Sequence, residues 1–323
     1  MQTKFLGFID KEIDFPSIIS VGTDCSGIDS ILSALKYLGI DYQLKFASDI
    51  DKDVKKSHVA NYTTNKFYDN ISTRNHSELP YIDLYVAGFP CQSFSLLGNR
   101  RGFESSTIFF DCLKTIQNTK PKIFILENVK GLINHDNGKT FETILSLLNQ
   151  LKNYSIYWDV YNTKQYGIPQ NRERIFIIGL DKNYFNDFKK PIGFPLELST
   201  SDLIDKSIIA NKKLTEHQLT ILSDLSSKIK LNEDWILNLN VSSYKRASPM
   251  KHISPTLLAG CVYYSTLVSR KLTPREYLRL QGFPEDFKIV VSDRQMYKQV
   301  GNSISVNVLC FILMEIFRCK KQI

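Results

Sequence analysis

Short apolar runs that alternate with amphipathic stretches constrain this chain most. Residues 17–23 (Ser-Ile-Ile-Ser-Val-Gly-Thr) read as a buried strand. After them Ile28, Ile31, Leu32, Leu35 and Leu38 are spaced for one face of a helix, which Gly39 closes. Further strand-like runs follow at 44–48, 82–88, 122–127 and 174–179, and a helix begins around Asp51. This alternation predicts an α/β fold, a parallel sheet with helices on both faces. In such sheets ligands bind at the carboxyl ends of the strands. The polar residues that break the apolar runs fall at those ends: Asp24 to Gly27, Asp49, Pro90-Cys91 and Glu127-Asn128.

From about residue 185 the alternation stops. Residues 185–240 contain Pro191, Pro195 and the polar stretch Ser199-Thr200-Ser201-Asp202, which predicts a boundary. The segment 242–282 then holds seven basic residues (Lys245, Arg246, Lys251, Arg270, Lys271, Arg275, Arg279) and one acid, Glu276. Much of the net charge of +8 is therefore gathered in one stretch. Such a stretch suits a polyanion, and a solvated basic face is the plainer alternative. No uncharged apolar run approaches the ~20 residues of a membrane span. The opening Met-Gln-Thr-Lys-Phe-Leu-Gly-Phe-Ile-Asp-Lys-Glu carries acids and lacks a signal-peptide core. The expected setting is the cytoplasm, without a membrane. Six cysteines, at 25, 91, 112, 261, 310 and 319, form no Cys-x-x-Cys pair and no zinc spacing. They read as free thiols, and no metal is expected.

One cysteine stands apart. Gly88-Phe89-Pro90-Cys91-Gln92-Ser93-Phe94-Ser95 puts a thiol in a stiff turn just past an apolar strand. A thiolate there can act as a nucleophile if positive charge or a helix start lowers its pKa. A small buried hydrophobe is the bland alternative. Pro-Cys-Gln-Ser, followed by Gly98-Asn99-Arg100-Arg101-Gly102, resembles the nucleophile loop of the DNA cytosine-5 methyltransferases. Four further blocks extend the resemblance in the family's order. They are Glu127-Asn128-Val129; Gln170-Asn171-Arg172-Glu173-Arg174; Lys271-Leu272-Thr273-Pro274-Arg275-Glu276 with Gln281-Gly282-Phe283-Pro284; and Tyr297-Lys298-Gln299-Val300-Gly301-Asn302-Ser303. The first turn, Thr23-Asp24-Cys25-Ser26-Gly27-Ile28-Asp29-Ser30, departs from the pattern, with Asp29 where a glycine is usual. Aspartate tolerates the left-handed backbone region better than most residues, so the turn is expected to survive. The loop Gly102–Thr107 is shorter than usual and lacks an Arg-Gly pair, so loop closure over DNA is expected to differ.

The resemblance implies a Rossmann-like, S-adenosylmethionine-dependent methyltransferase sheet with a second, smaller target-recognition domain. The expected boundaries are 1–184 plus 285–323 for the first and 185–284 for the second. It implies transfer of a methyl group from S-adenosylmethionine to carbon 5 of a flipped-out cytosine in a specific DNA site, within a restriction–modification system. Cys91 would supply the thiolate and Glu127 the acid facing ring nitrogen 3. Arg172 and Arg174, alternating in an extended run, would share one side. One would hold the base's exocyclic oxygen, the other a phosphate or Glu127; a surface ion-pair ladder is the bland reading. Cys25, Ser26, Gly27, Ile28, Asp49, Ile50, Asp69, Pro90, Asn302 and Ser303 would hold the methyl donor. Asp49 would take the ribose, Ile50 the adenine face and Asp69 the adenine amino group, while Asn302 and Ser303 would begin the final helix and close the pocket. Arg100, Arg101, Lys245, Arg246, Thr256 and Arg270 would contact double-stranded DNA. The protein is expected to be a monomer, with a cognate endonuclease acting separately. Two rivals remain. A tRNA-methylating branch carries Pro-Pro-Cys and Cys-Phe-Thr, whereas this chain has Phe89-Pro90-Cys91 and no Cys-Phe-Thr. The other is a non-catalytic binding protein on the same scaffold, for which Asp29 and the short loop speak.

Overall fold

A computed structural model describes residues 7–10, 12–90, 108–209 and 213–322. The chain forms two compact units. The larger comprises Asp10–Tyr161, Glu173–Pro191 and Leu309–Ile323; the smaller comprises Met1–Ile9, Asn162–Arg172 and Ile192–Val308.

The larger unit follows the alternation that the sequence predicts. Strand β1 (Ile18–Asp24) leads to helix α1 (Ser30–Tyr37), β2 (Asp41–Ser48), α2 (Lys52–Asn61), β3 (Phe67–Tyr68) and β4 (Leu84–Ala87). After the undescribed segment come α3 (Ile108–Thr119), β5 (Ile123–Val129), α4 (Lys139–Asn149), β6 (Tyr154–Asn162) and, after the two-residue β7 (Gln170–Asn171), β8 (Glu173–Asp181). The sheet order is β3-β2-β1-β4-β5-β8-β6. Strands β1 to β5 pair in parallel, each β1, β2, β4 and β5 contact being of that kind. The order turns back at β1, with β2 on one side and β4 on the other. That is where an open α/β sheet leaves a crevice at its strand ends.

Helices α3 and α4 bury their apolar faces on this sheet. Phe109, Cys112, Leu113 and Ile116 of α3, with Phe141, Ile144 and Leu148 of α4, pack among Phe46, Tyr85, Phe124, Leu126 and Ile177. The spacing of three and four residues places each set on one stripe. A large apolar side chain fully buried here contributes about 1.5–3 kcal/mol.

Two features of the sheet differ from expectation. Strand β8 runs antiparallel to β5, from Ile123 opposite Leu180 to Val129 opposite Arg174. The apolar run 174–179 marks a buried strand but carries no direction. Strand β6 was not foreseen. It lies at the sheet edge and most of its residues are only half-buried, so it lacks a continuous apolar run.

The smaller unit continues with α5 (Thr200–Leu203), α6 (Glu216–Ser226), β9 (Trp235–Asn238), β10 (Met250–Lys251), β11 (Ser254–Pro255), β12 (Tyr263–Ser265), β13 (Arg270–Lys271), α7 (Pro274–Gln281) and α8 (Asp293–Asn302). A four-stranded sheet, β10-β9-β12-β13, is antiparallel. Ile221, Leu222 and Leu225 of α6 pack on Leu237, Leu239 and Tyr264. Helix α7 starts with Thr273 and Glu276 closing a reciprocal cap and with Pro274 in its first turn. The last helix is α9 (Val306–Arg318).

The observed division shifts both expected boundaries. The exit expected after 184 falls after 191, and the return expected at 285 falls at 309. Residues 162–172 also join the smaller unit, because β7 pairs in parallel with β11. The stretch Asp293–Arg318 is long and apolar enough to cross a membrane by length and composition. However, 83% of its most apolar window is buried in the protein. Ser303, extended at φ −73° and ψ 157°, breaks it between α8 and α9, so it reads as core.

Candidate active site

The strand ends of the larger unit carry the turn that the sequence marks for the methyl donor. Cys25, Gly27 and Asp29 all take positive φ, at 47°, 55° and 50°. Three left-handed residues in five fold the chain back between β1 and α1. A Cβ added at Gly27 would meet no atom within 4 Å, so the turn's outer face borders open space. Ser26 is tied to the end of β2: its N–H and hydroxyl both donate to the Ser48 carbonyl, at 2.9 and 3.1 Å. Asp49 accepts from Gly27 N–H on one oxygen at 3.0 Å and from Asp51 N–H on the other at 2.9 Å. Burial, opposed by these two amides, holds its carboxyl above the usual carboxylate range. A carboxylate has about four acceptor positions, so both oxygens retain capacity for hydroxyl donors. Ile50, beside it, is 78% exposed, an apolar side chain standing in the open at a strand end. The carboxylate and the apolar side chain beside it therefore fit the ribose hydroxyls and base face of a nucleoside. Asp69 is exposed and paired with Lys55 at 2.7 Å. Burial pushes the Cys25 thiol well above its usual range, so it stays protonated.

The second group sits at the ends of β4 and β5. Glu127 is 7% exposed, and Arg174 Nε lies 3.3 Å from its Oε1. These two residues come from adjacent antiparallel strands, so the contact is set by sheet register. Burial pulls the Arg174 guanidinium down against the attraction of Glu127. Asn128 donates its side-chain N–H to the Phe89 carbonyl at 2.8 Å, and its Oδ1 accepts from Val129 N–H at 2.8 Å. It thus clamps the chain two residues before Cys91. Pro90 is exposed at the end of this clamp. Cys91, Arg100 and Arg101 lie outside the described residues.

The smaller unit gives Arg172 a task different from the one expected. It is 2% exposed, and its guanidinium donates to the carbonyls of Leu257 (3.1 Å), Gly301 (3.2 Å) and Ser303 (2.7 Å). Expected alternation with Arg174 fails because the chain turns at this point: Arg172 N–H bonds Asn162 Oδ1 and Gln170 O, and its carbonyl accepts from Thr163 N–H. Gln170 and Gln281 complete the buried polar seam. Asn302 ends α8 and Ser303 is its C-cap, so neither begins the final helix as expected. Helix α9 opens three residues later, after the break at Ser303. Its portion from Leu309 belongs to the larger unit, where the Cys310 thiol lies 3.8 Å from the Ala34 carbonyl of α1.

The basic stretch is also corrected. Arg270 is 5% exposed and bonds Glu276 through both terminal nitrogens, at 2.9 and 2.7 Å, besides the carbonyls of Ile208, Asp205 and Lys271. It is an internal tie and not a DNA contact. Lys251 pairs with Glu233 and Arg279 with Glu285, while Arg275 donates to the Phe287 carbonyl. Counting charges within 242–282 misses Glu233 and Glu285, which lie just outside it. Lys245 and Arg246 are exposed on a single 3-10 turn. Thr256 donates to the Asn171 carbonyl at 2.7 Å. A cavity of about 610 Å³ in this unit is lined by Ser201 to Ser207 with Arg279 and Glu285, none of them an expected catalytic, donor-binding or DNA-contacting residue.

Sequence reasoning missed the base of the first turn. Asp24, 1% exposed, holds Arg74 through both its oxygens, at 2.6 and 2.5 Å, and accepts from Tyr85 Oη at 2.7 Å. Arg74 also bonds Thr115 of α3 and lies over the Phe46 and Tyr68 rings. Asp24 was read as part of the ligand turn, but it faces inward and anchors the turn. Its partners are 50 to 91 residues away, and no local pattern announces them.

A family model described as C-5 cytosine-specific DNA methylase matches residues 23–318. The type II methyltransferase M.SsoII of Shigella sonnei is 36% identical over 283 residues, covering 82% of this chain and 71% of that protein. M.Bsp6I of Bacillus sp. strain RFL6 is 33% identical over 320 residues, 93% of this chain and 98% of its own. The crystal structure of the S. pombe Dnmt2 methyltransferase superposes with a TM-score of 0.67 at 19% identity, covering 93% of this chain and 98% of that one, which supports the Rossmann-like fold. With strand ends that present a nucleoside-fitting turn and a buried Glu–Arg pair, and with this match over most of its length, the chain belongs to the C-5 cytosine-specific DNA methylase family and is a DNA cytosine-5 methyltransferase.

Proposed function

We propose that the enzyme methylates a cytosine flipped out of a specific duplex site by way of a covalent bond to Cys91. The Glu127–Arg174 pair at the sheet end, next to the Asn128 clamp on the chain leading to Cys91, is the observation that carries this reading. Unstacking the base costs a few kcal/mol, offset by protein contacts. The Cys91 thiolate adds to carbon 6, and Glu127 gives a proton to ring nitrogen 3, which leaves an enamine with its electrons at carbon 5. Arg174 orients Glu127 and stays within reach of the pyrimidine edge. S-adenosylmethionine, when bound, supplies a sulfonium methyl group that carbon 5 attacks. A base from solvent then takes the carbon-5 proton, the Cys91 sulfur leaves as thiolate, and ring nitrogen 3 returns its proton to Glu127, which restores the aromatic ring and the enzyme. Gly27, Ile28, Asp49 and Ile50 would cradle the donor, with Cys25, Ser26, Asp69 and Pro90 around it. Arg172 contributes by positioning Gly301 and Ser303.

The type II methyltransferases among the relatives support a place in a restriction–modification system, in the cytoplasm, with a separate endonuclease guarding the same site. Lys245, Arg246, Arg100, Arg101 and Thr256 are the proposed DNA contacts, and a monomer suffices for the chemistry. Purified protein incubated with labelled S-adenosylmethionine should label duplex DNA of mixed sequence at 5-methylcytosine and leave tRNA unlabelled. Glu127→Gln should lower kcat by at least about a hundredfold, the scale of a lost general acid. Full activity in Cys91→Ser would end the covalent scheme.

A further inference from the structure

We propose that helix α2 holds the methyl-donor turn in place through His58 and Tyr62, with Asp29 as the catch. This rests on the reading of residues 24–29 as the turn for S-adenosylmethionine. Asp29 sits at the N-cap of α1 but makes no side-chain cap hydrogen bond. An aspartate in that position ordinarily turns its carboxylate to the helix amides. Here the carboxylate points away from the helix. One oxygen accepts from Thr23 Oγ1 at 2.8 Å, and the other lies 2.5 Å from His58 Nδ1. Both side chains of the Asp29–His58 pair are wholly buried. Tyr62, four residues beyond His58, caps the C-terminus of α2 with extended backbone. Its hydroxyl lies 3.2 Å from the Ile28 carbonyl and 3.2 Å from Ser33 Oγ. The His58 ring packs against Phe67 at 4.9 Å and Tyr62 at 5.8 Å, so the whole assembly is braced by aromatic side chains.

The physical reason for such a device follows from the backbone. A non-glycine residue in the left-handed region costs free energy and stays there only when its surroundings over-determine it. Asp29 is held at φ 50° and ψ 58° by bonds to three elements: β1 through Thr23, α1 by chain continuity and α2 through His58. Tyr62 holds the adjoining Ile28 carbonyl, and the reading of this turn puts Gly27 and Ile28 beside the donor. Asp29, His58 and Tyr62 are therefore positioning residues. Their removal should loosen the turn and weaken donor binding.

The test is titration calorimetry of S-adenosylmethionine on the full-length protein, with thermal melts and steady-state kinetics alongside. Tyr62→Phe removes one hydroxyl and nothing else. It should raise Kd and the donor KM about three- to tenfold, the scale of one hydrogen bond, with kcat unchanged. His58→Phe leaves a buried carboxylate without its partner and should melt early. The double variant Asp29→Gly, His58→Phe removes both groups, and glycine is at ease at this φ. It should melt above His58→Phe yet bind the donor at least about tenfold more weakly than wild type. Asp29→Asn, which keeps a hydrogen-bonding side chain, should stay closer to wild type than the double variant. Wild-type Kd in Tyr62→Phe and in any folded double variant would overturn the proposal. If the double variant does not fold, Tyr62→Phe decides alone. Absence of donor binding in the wild-type protein would instead overturn the reading of the turn itself.

Discussion

Arg172 and Arg174 are two positions apart and chemically identical, yet they do different work. Arg172 donates to three carbonyls through its two terminal nitrogens, whereas Arg174 has one carboxylate beside it. Arg172→Met keeps the length of the side chain but removes the guanidinium's bonds to the Leu257 and Gly301 carbonyls, each loss costing about 1–3 kcal/mol, while the Ser303 carbonyl keeps Gln281. Its melting temperature should fall by roughly 5 °C or more by calorimetry. Arg174→Met should lose activity at least about tenfold while its melt shifts less, because its guanidinium is less enclosed. Reversed outcomes would exchange the two roles. The motif itself was legible in the sequence, but this division of labour was not. It depends on carbonyls contributed by residues 85 to 131 positions away. Gly301 shows the same limit: a Cβ there would come within 2.5 Å of the Ala259 backbone nitrogen, a close approach that only the folded unit reveals.

At the level of elements, the pairing of β1 with β4 rests on a side chain as well as on the ladder. Asp83 accepts from Ser20 N–H at 3.0 Å and from Ser20 Oγ at 2.5 Å, and its other oxygen meets Lys122 at 2.9 Å. Burial pulls the Asp83 carboxyl upward, but the bonds from Ser20 and Lys122 outweigh it and leave the carboxyl below its usual value. A carboxyl lowered in the folded state stabilises above the unfolded pKa, and that contribution is lost as pH falls through the folded pKa. As pH falls through and below the usual carboxylate range, wild type should therefore lose stability more steeply than Asp83→Asn, as measured by urea melts. Equal slopes would remove Asp83 from this account. The β1–β5 alternation could be read from sequence because buried parallel strands are continuous apolar runs. The edge strand β6 and the antiparallel sense of β8 could not, since a half-buried strand has a weak pattern and direction has none.

For the whole molecule, the formal charge of +8 overstates what a polyanion can reach. Arg270, Arg279 and Lys251 are spent on carboxylates, while Lys245 and Arg246 stand exposed. Replacing Lys245 and Arg246 by alanine should weaken duplex binding uniformly across sequences and reduce the slope of log K against log salt by about two. Arg270→Met should lower stability and leave that slope alone. Fluorescence anisotropy at several salt concentrations separates the two. The domain division was only partly legible: loss of the alternation announced an exit near 185, but the strand β7 that recruits residues 162–172 is too short to leave a signature. That recruitment bears on how such enzymes change specificity. A recombination event that imported only 192–308 from a relative would bring β11 without β7, and the carbonyls of Leu257 and Gly301 without their own arginine. On the proposal that this unit contacts the DNA, new target preferences would be inherited more readily when a distant eleven-residue patch travels with them, or when drift alters the exposed turn alone.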